Sequence, residues 1–409
     1  MNATPQQAPV RRRRRDRKLQ ILGAAASLFH RNGYDAVSMT GIAASVGITP
    51  GALYRHYGGK NDILIGCIET RLDAVEAALA ATECAGLDAA LAALARMPEG
   101  TSSLGELWGR DLLRLPATEQ AALRQRMTTI ARRLAGLLSS SRPELSAADV
   151  DLLSWAVSSV FASASYYRVD LPPERVHAMF TRLASAAAYC TQISSASTPE
   201  YRSAGSEEGR VGVPRYSRRE RLLTEASRMF DERGYIAVSM EDIGATAGIS
   251  SALVYRHFDS KADLLFTASL RVVDNLELQM ADAFSDALSP VDALRRLGRS
   301  YIELAVRHRP SMSNLVTAVS NLPPEQRGLL RVRQRDYLDE WTRLLTNIYT
   351  TASYGEARTA LHAALTVVHN TLRTPHLRTR PTLLGDLEQL MMTIFAASGH
   401  DRASPVALT

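Results

Sequence analysis

Lysine is nearly absent from this 409-residue chain: of 48 basic side chains only Lys18, Lys60 and Lys261 are lysines, and the rest are arginines. Cysteine is scarce too. Cys67, Cys84 and Cys190 are odd in number and too scattered for a disulfide framework or a metal motif. That points to a reducing, cytoplasmic setting and to packing roles for all three. There is no run of 18 apolar residues and hence no candidate membrane span. A glycine-rich phosphate loop, a paired acid–base spacing and a nucleophile with a base beside it are also missing. No enzyme, cofactor or metal site is therefore expected. Aromatics make up 6 % of the residues while alanine and leucine dominate. With no alternating pattern to suggest strands, this composition predicts an all-α fold of helices packed on helices.

What the chain does have is a repeat. Residues 25–64 align without a gap on residues 226–265, an offset of 201 positions, with 18 of 40 identical. VGITPGALYRHYGGK at 46–60 returns as AGISSALVYRHFDSK at 247–261. A period this long is not a solenoid but a duplicated domain. Leu115, Pro116 and Leu138 match Leu322, Pro323 and Leu345 at the larger offset of 207, so the duplication extends past the first copy's head with a short insertion.

Charge is unevenly shared between the copies. Residues 1–65 hold ten Lys/Arg against three acids, whereas residues 215–265 hold eight against eight. The run Arg11–Lys18, broken only by Asp16, resembles the start of a signal peptide where it meets the apolar stretch after it, but the repeat argues against that reading. The equivalent helix begins internally at Arg218, where no signal can act. We expect residues 1–16 to be a disordered basic arm, with Arg13, Arg14, Arg15 and Arg17 reaching DNA phosphates or a minor groove.

Within each copy the signals order themselves as three helices. Leu19, Leu22, Ala25, Ala26 and Phe29 recur at helical spacing, and Asn32-Gly33 stops that helix. Ser38 is placed to cap a second helix; its counterpart Ser239 has Asp242 at capping-box spacing, where the first copy has Gly41. Gly47 then turns the chain, Thr49 caps, and Pro50 occupies a first helical position. A short helix of this kind is the length of the reading helix in a helix-turn-helix. Small Gly51 allows close approach to DNA, Tyr54 offers a hydroxyl to a phosphate, and Lys60 opens the next helix with a further positive charge. His56 and His257 lack the acidic or cysteine neighbours of a metal site, so packing or a phosphate contact is the expectation.

Phe29, Gly33, Tyr34, Ile42-Ala43, Val46-Gly47-Ile48, Tyr54-Arg55-His56-Tyr57 and Lys60 resemble the N-terminal signature of TetR-type transcriptional regulators. The second set, with Ala247-Gly248-Ile249 and Tyr255-Arg256-His257-Phe258, resembles it equally. The resemblance implies two helix-turn-helix domains, each followed by a helical regulatory domain, docked as an intramolecular pseudo-dimer. It places DNA contacts at Ser38, Thr49, Pro50, Gly51, Tyr54, His56 and Lys60, and at Ser239, Ser250, Ser251, Ala252, Tyr255, His257 and Lys261. The doubling, the arginine-rich start and the segment LWGRDLLRL resemble tandem members of the family. Those imply a repressor released by a small hydrophobic effector: a lipid, steroid or acyl thioester.

The expected organisation is head 1 at 17–65, body 1 at 66–193, a flexible linker at 194–214, head 2 at 215–266, body 2 at 267–399 and a tail at 400–409. As a coil the linker spans roughly 25 Å, and stretched out about 70 Å. Small residues at Ala156, Ser158, Ser159, Ala162 and Ala164 would let another helix come close, as in the family's dimer interface. Trp108, Arg110, Tyr166 and Tyr167 in the first half, and His308, Met312, Tyr337, Trp341, His362 and His369 in the second, are effector-pocket candidates. Each is also what an ordinary helical core would contain. Because the reading helices differ, the partner should be an asymmetric double-stranded operator, with pairing of two pseudo-dimers a further option. The rival reading is a non-specific architectural DNA protein, which would spread its basic residues over both heads.

Overall fold

The computed structural model describes residues 8–97, 112–165, 171–191, 193 and 217–399, and among these every regular element is a helix. The first head comprises α1 (Ala8–Asn32), α2 (Met39–Ser45) and α3 (Pro50–Tyr54). Its body begins with the connecting helix α4 (Lys60–Thr82), followed by α5 (Leu87–Ala95), α6 (Ala117–Ser141), α7 (Ala147–Ser163) and α8 (Pro173–Ala188). The second half repeats this plan. Its head holds α9 (Arg218–Arg233), α10 (Met240–Ala247) and α11 (Ser251–Tyr255), and α12 (Lys261–Ser285) leads into the body. That body adds α13 (Pro290–Arg307), α14 (Arg309–Thr317), α15 (Pro324–Ile348), α16 (Tyr354–Arg373), the short α17 (Pro375–Arg378) and α18 (Leu383–Ala396).

One boundary needs correction. Residues 8–16, expected as part of a disordered arm, are the first turns of α1. Pro9 lies in the first turn, where its missing amide costs nothing, and arginine is a good helix former, so nothing stops the helix from starting early. The linker 194–214, the tail 400–409 and the candidates Trp108, Arg110, Tyr166 and Tyr167 lie outside the described residues.

The duplication is visible as repeated ion pairs as well as repeated helices. Arg126 on α6 holds Asp73 at 2.7 Å and Glu76 at 2.9 Å on α4. On the second side Arg333 on α15 holds Asp274 at 2.7 Å, together with Glu277, on α12. The acids are related by the offset of 201 and the arginines by 207, so the insertion inferred from sequence falls between the connecting helix and the long body helix.

The two halves dock through α7 and α8 of the first against α16 and α18 of the second. Ala156 and Ser159 on α7, and Ala360, Ala363 and Ala364 on α16, are buried, and such small side chains let packed helices approach closely. Asn370 Nδ2 donates to Ser159 Oγ across it at 3.2 Å. At each end sits a clasp. Asp149, in the first turn of α7, accepts from Arg380 of the other half at 2.7 Å, and Arg380 also holds Asp386 at 3.0 Å. Its counterpart Glu356, in the first turn of α16 and 2 % exposed, is held by Arg175 at 3.1 Å and faced by Arg182 at 3.8 Å. The pseudo-dimer expected from the family resemblance is thus built within one chain, and its clasps are reciprocal but chemically unlike.

The hydrophobic cores are asymmetric. Head 1 shares its core with α4, α5 and α6 through Leu72, Leu79, Leu94 and Leu123. The core of head 2 runs unbroken through α12 into the docked four-helix interface. Of the cysteines, Cys67 and Cys190 pack inside as expected, but Cys84, in a short 3-10 turn after α4, is exposed.

Candidate nucleic-acid interface

In both heads the turn before the reading helix is built by a glycine in the left-handed region, Gly47 at φ +65° and Gly248 at +64°. A side chain there would be strained, which is why glycine occupies both positions. Across the turn Ile48 N donates to Ala43 O at 3.0 Å and Ile249 N to Gly244 O at 2.8 Å. Leu53 and Val254, each fully buried, plug the short helices into their heads. The rest of each helix must then face outward. Thr49, Pro50, Gly51 and Tyr54 are exposed in head 1, as are Ser250, Ser251, Ala252 and Tyr255 in head 2. Tyr54 is 55 % and Tyr255 48 % exposed, unusual for a large aromatic and suited to a partner.

The caps follow the sequence closely. Ser38 Oγ accepts from Gly41 N at 3.0 Å, and Thr49 Oγ1 from Ala52 N at 3.2 Å. Ser239 Oγ accepts from Asp242 N at 3.0 Å while Asp242 accepts from Ser239 N at 3.0 Å, a complete capping box found only in the second copy. The Ser239 amide, with help from its hydroxyl, holds the Asp242 carboxyl below the usual range. Ser250 caps α11 without a side-chain bond.

The two lysines open α4 and α12 as the sequence predicts, and their ammonium groups turn back into the heads. Lys60 Nζ donates to Tyr34 O and Val37 O, both at 2.9 Å, and lies 4.2 Å from the centre of the Tyr34 ring. Lys261 repeats this with Tyr235 O and Val238 O, both at 2.7 Å, and the Tyr235 ring at 4.4 Å. Partial burial pulls the Lys261 pKa down from its ordinary value. Both ammonium groups clamp the loop between the first two helices, an engagement that the expected phosphate contacts would have to share. A compact three-donor head on a flexible stem can meet two converging carbonyls and lie over the ring at once, which suits lysine to both equivalent sites.

Of the arm, Arg17 is exposed, and the side chains of Arg13, Arg14 and Arg15 lie outside the described residues. His56 is half-buried and His257 exposed. Among the described residues no group of His, Cys, Asp and Glu is placed to hold a metal ion, and no helix is long and apolar enough to cross a membrane. Sequence reasoning passed over Arg55 and Arg256. Both are exposed and cap the C-terminal ends of the reading helices, where a guanidinium can reach a phosphate. Their repetition in Tyr-Arg-His was the signal available.

In the second body Tyr337, Trp341 and His369 pack with Tyr301 and Phe395. Tyr301–Trp341, Tyr337–Trp341 and Trp341–Phe395 ring centres lie 6.1, 6.3 and 5.9 Å apart. Tyr301 Oη and His369 Nε2 are 2.7 Å apart. Burial, with help from Arg373, pushes His369 down to about 4 and leaves the ring neutral, while burial pushes Tyr301 well above its usual range. His362 is pushed down to about 3 by burial and by Arg358. In the first body an open cleft of about 660 Å³ between α5 and α8 is lined by Arg96, His177, Thr181 and Arg182.

The profile of bacterial regulatory proteins of the tetR family matches this chain twice, over residues 21–67 and 222–268. The transcriptional activator FasR of Mycolicibacterium smegmatis is 43 % identical over 77 residues, 19 % of this chain and 35 % of that protein. The transcriptional repressor KstR2 of the same organism is 30 % identical over 133 residues, 32 % of this chain and 63 % of that protein. A solved structure of the ketosteroid transcriptional regulator KstR2 of Mycobacterium tuberculosis aligns at 22 % identity over 47 % of this chain and 100 % of that one, with a TM-score of 0.40. The chain thus spans between about a third and under two thirds of the length of the curated relatives it matches.

Proposed function

With two domains of the bacterial regulatory tetR family in one polypeptide, we infer that the protein is a sequence-specific DNA-binding transcriptional regulator whose two unlike heads engage one imperfect, asymmetric operator. The observation that carries this reading is the pair of outward-facing reading helices, Thr49–Tyr54 and Ser250–Tyr255, on bodies docked within the same chain. Two-fold operators are ordinarily met by dimers whose reading helices sit about one helical turn, ~34 Å, apart. Here the second contact is intramolecular, at an effective concentration on the order of millimolar, so assembly need not precede binding.

Head 1 supplies most of the salt-dependent affinity, because the net positive charge lies there. The reading as a repressor released by a lipid, steroid or acyl thioester is supported by the resemblance to tandem members of the family and by relatives named as repressors. Arg13, Arg14, Arg15 and Arg17 would add phosphate contacts ahead of head 1, and Arg55 and Arg256 beside each tyrosine. Two pseudo-dimers pairing on one operator would make a four-headed complex.

Selection of random duplexes with the full chain tests the proposal. An enriched, imperfect inverted repeat is expected, with Tyr54→Ala costing on the order of tenfold in affinity and Tyr255→Ala clearly less. Failure to enrich any site leaves only the architectural role, and equal losses from the two tyrosines refute the division of labour.

A further inference from the structure

Aligned at the offset of 201, the two heads differ sharply at one exposed position of the second helix, where head 1 has Thr40 and head 2 has Glu241. Glu241 stands beside Asp242 in the first turn of α10. The two acids have different tasks. Asp242 is spent on the capping box with Ser239, and head 1, with Gly41 there, forms its helix without it. Glu241 takes no part in the cap. Its Oε1 instead meets the hydroxyl of Tyr255 at 3.4 Å, joining the second helix of the head to the reading helix on the side that both expose to solvent.

In a helix-turn-helix the first helix of the pair crosses the DNA backbone, and a helix N-terminus is ordinarily favourable to a phosphate there. A carboxylate in that first turn reverses the sign. It also occupies the tyrosine hydroxyl that would otherwise donate to a phosphate. Among the amino donors that the major groove presents, cytosine N4 is the one a carboxylate characteristically accepts from.

Resting on the DNA-binding reading above, we propose that Glu241 is the specificity-determining residue of head 2. It repels the backbone of any duplex and withholds Tyr255 from phosphate, so that head 2 engages only where a cytosine amino group takes over the carboxylate. Head 1, with Thr40 in the equivalent place, has no such restraint and binds backbone more freely. The division explains why a head with no net charge keeps an intact, well-capped fold: it is built to discriminate rather than to attract.

The test compares the full chain with Glu241→Thr, which installs the residue that head 1 already tolerates, and with Asp282→Asn, which removes one exposed negative charge near the far end of α12, about 30 Å along that helix from the head. Binding to a random-sequence duplex is measured across a salt series. Glu241→Thr is expected to tighten non-specific binding by roughly five- to tenfold and to steepen the salt dependence by up to about one unit of log K against log salt. Asp282→Asn should change affinity by less than about twofold. On the selected operator Glu241→Thr should lose preference at head 2 positions occupied by cytosine. Equal effects of the two variants, or no change in Glu241→Thr, overturn the role of Glu241 while leaving the DNA-binding reading intact. Absence of duplex binding by the wild-type chain overturns both.

Discussion

Replacing Lys60 by methionine keeps the apolar stem and removes the ammonium group that bridges Tyr34 O and Val37 O at 2.9 Å each. Hydrogen bonds to a charged donor contribute roughly 1.5–3 kcal/mol each, and a carbonyl left without its donor in a half-buried site forfeits most of that. The contact with the Tyr34 ring adds about 0.5–1 kcal/mol at this exposure. Because Lys60 is only partly buried, water can reach some of what it leaves behind. A net loss of about 2–3 kcal/mol to the head is therefore expected, or roughly thirty- to 160-fold in the local opening equilibrium. The amide of Val37, which donates to Tyr34 O at 3.2 Å within the clamped loop, reports it directly. Its hydrogen-exchange protection should fall by about that factor in Lys60→Met. A phosphate role makes a different forecast: unchanged protection, with the salt slope of DNA binding reduced by about 0.9 for one lost contact. Unchanged exchange with a reduced slope would refute the clamp.

Arg380→Ala should destabilise the docked bodies by about 3–5 kcal/mol, because it strands the carboxylates of Asp149 and Asp386, the latter 1 % exposed; urea denaturation measures the loss, and a change below about 1 kcal/mol would mean the clasp is not needed. Stability should also depend on pH through the buried histidines. The folded state keeps His369 neutral down to about 4 and His362 down to about 3, whereas the unfolded chain protonates both near 6.5. Below that value the unfolded state binds more protons, so stability falls as pH drops from about 6.5 towards 4, by up to about 1.4 kcal/mol per pH unit for each histidine. Urea midpoints at pH 7.5 and 5 check the sign, and His369→Gln should make the dependence shallower.

Much of the head was legible because its rules are local. Gly47 and Gly248 mark a left-handed turn, Ser38 and Ser239 mark caps, and the acid at position 242 against glycine at 41 marks a capping box in head 2 but not in head 1; each depends only on residues a few positions apart. The docking of the halves was legible from the small residues of α7, since such a stripe implies a close neighbour. The lysine clamp was not. It joins Lys60 to carbonyls 23 and 26 residues away, and backbone carbonyls carry no sequence signal. The start of α1 was misjudged for a different reason: a run of arginines is compatible with a solvated helix as well as with a coil, so its charge says nothing about its backbone.

The clasps suggest what covalent linkage of the halves makes possible. In a dimer of identical chains every substitution appears on both sides of a two-fold axis, so a head and its interface change in pairs. Here they change singly. Asp149 is held by Arg380, which also serves Asp386, whereas the longer Glu356 is met by Arg175 with Arg182 behind it. The acid and its partners have drifted together on each side, and neither set could be copied to the other without leaving a buried carboxylate short of charge. The heads show the same freedom in sharper form, one carrying nearly all the net positive charge and the other none, with Thr40 in one and Glu241 in the other. On the proposed function such a pair would not serve a symmetric site equally with both heads, so the proposal of an asymmetric operator rests on the chemistry of the divergence rather than on the doubling alone.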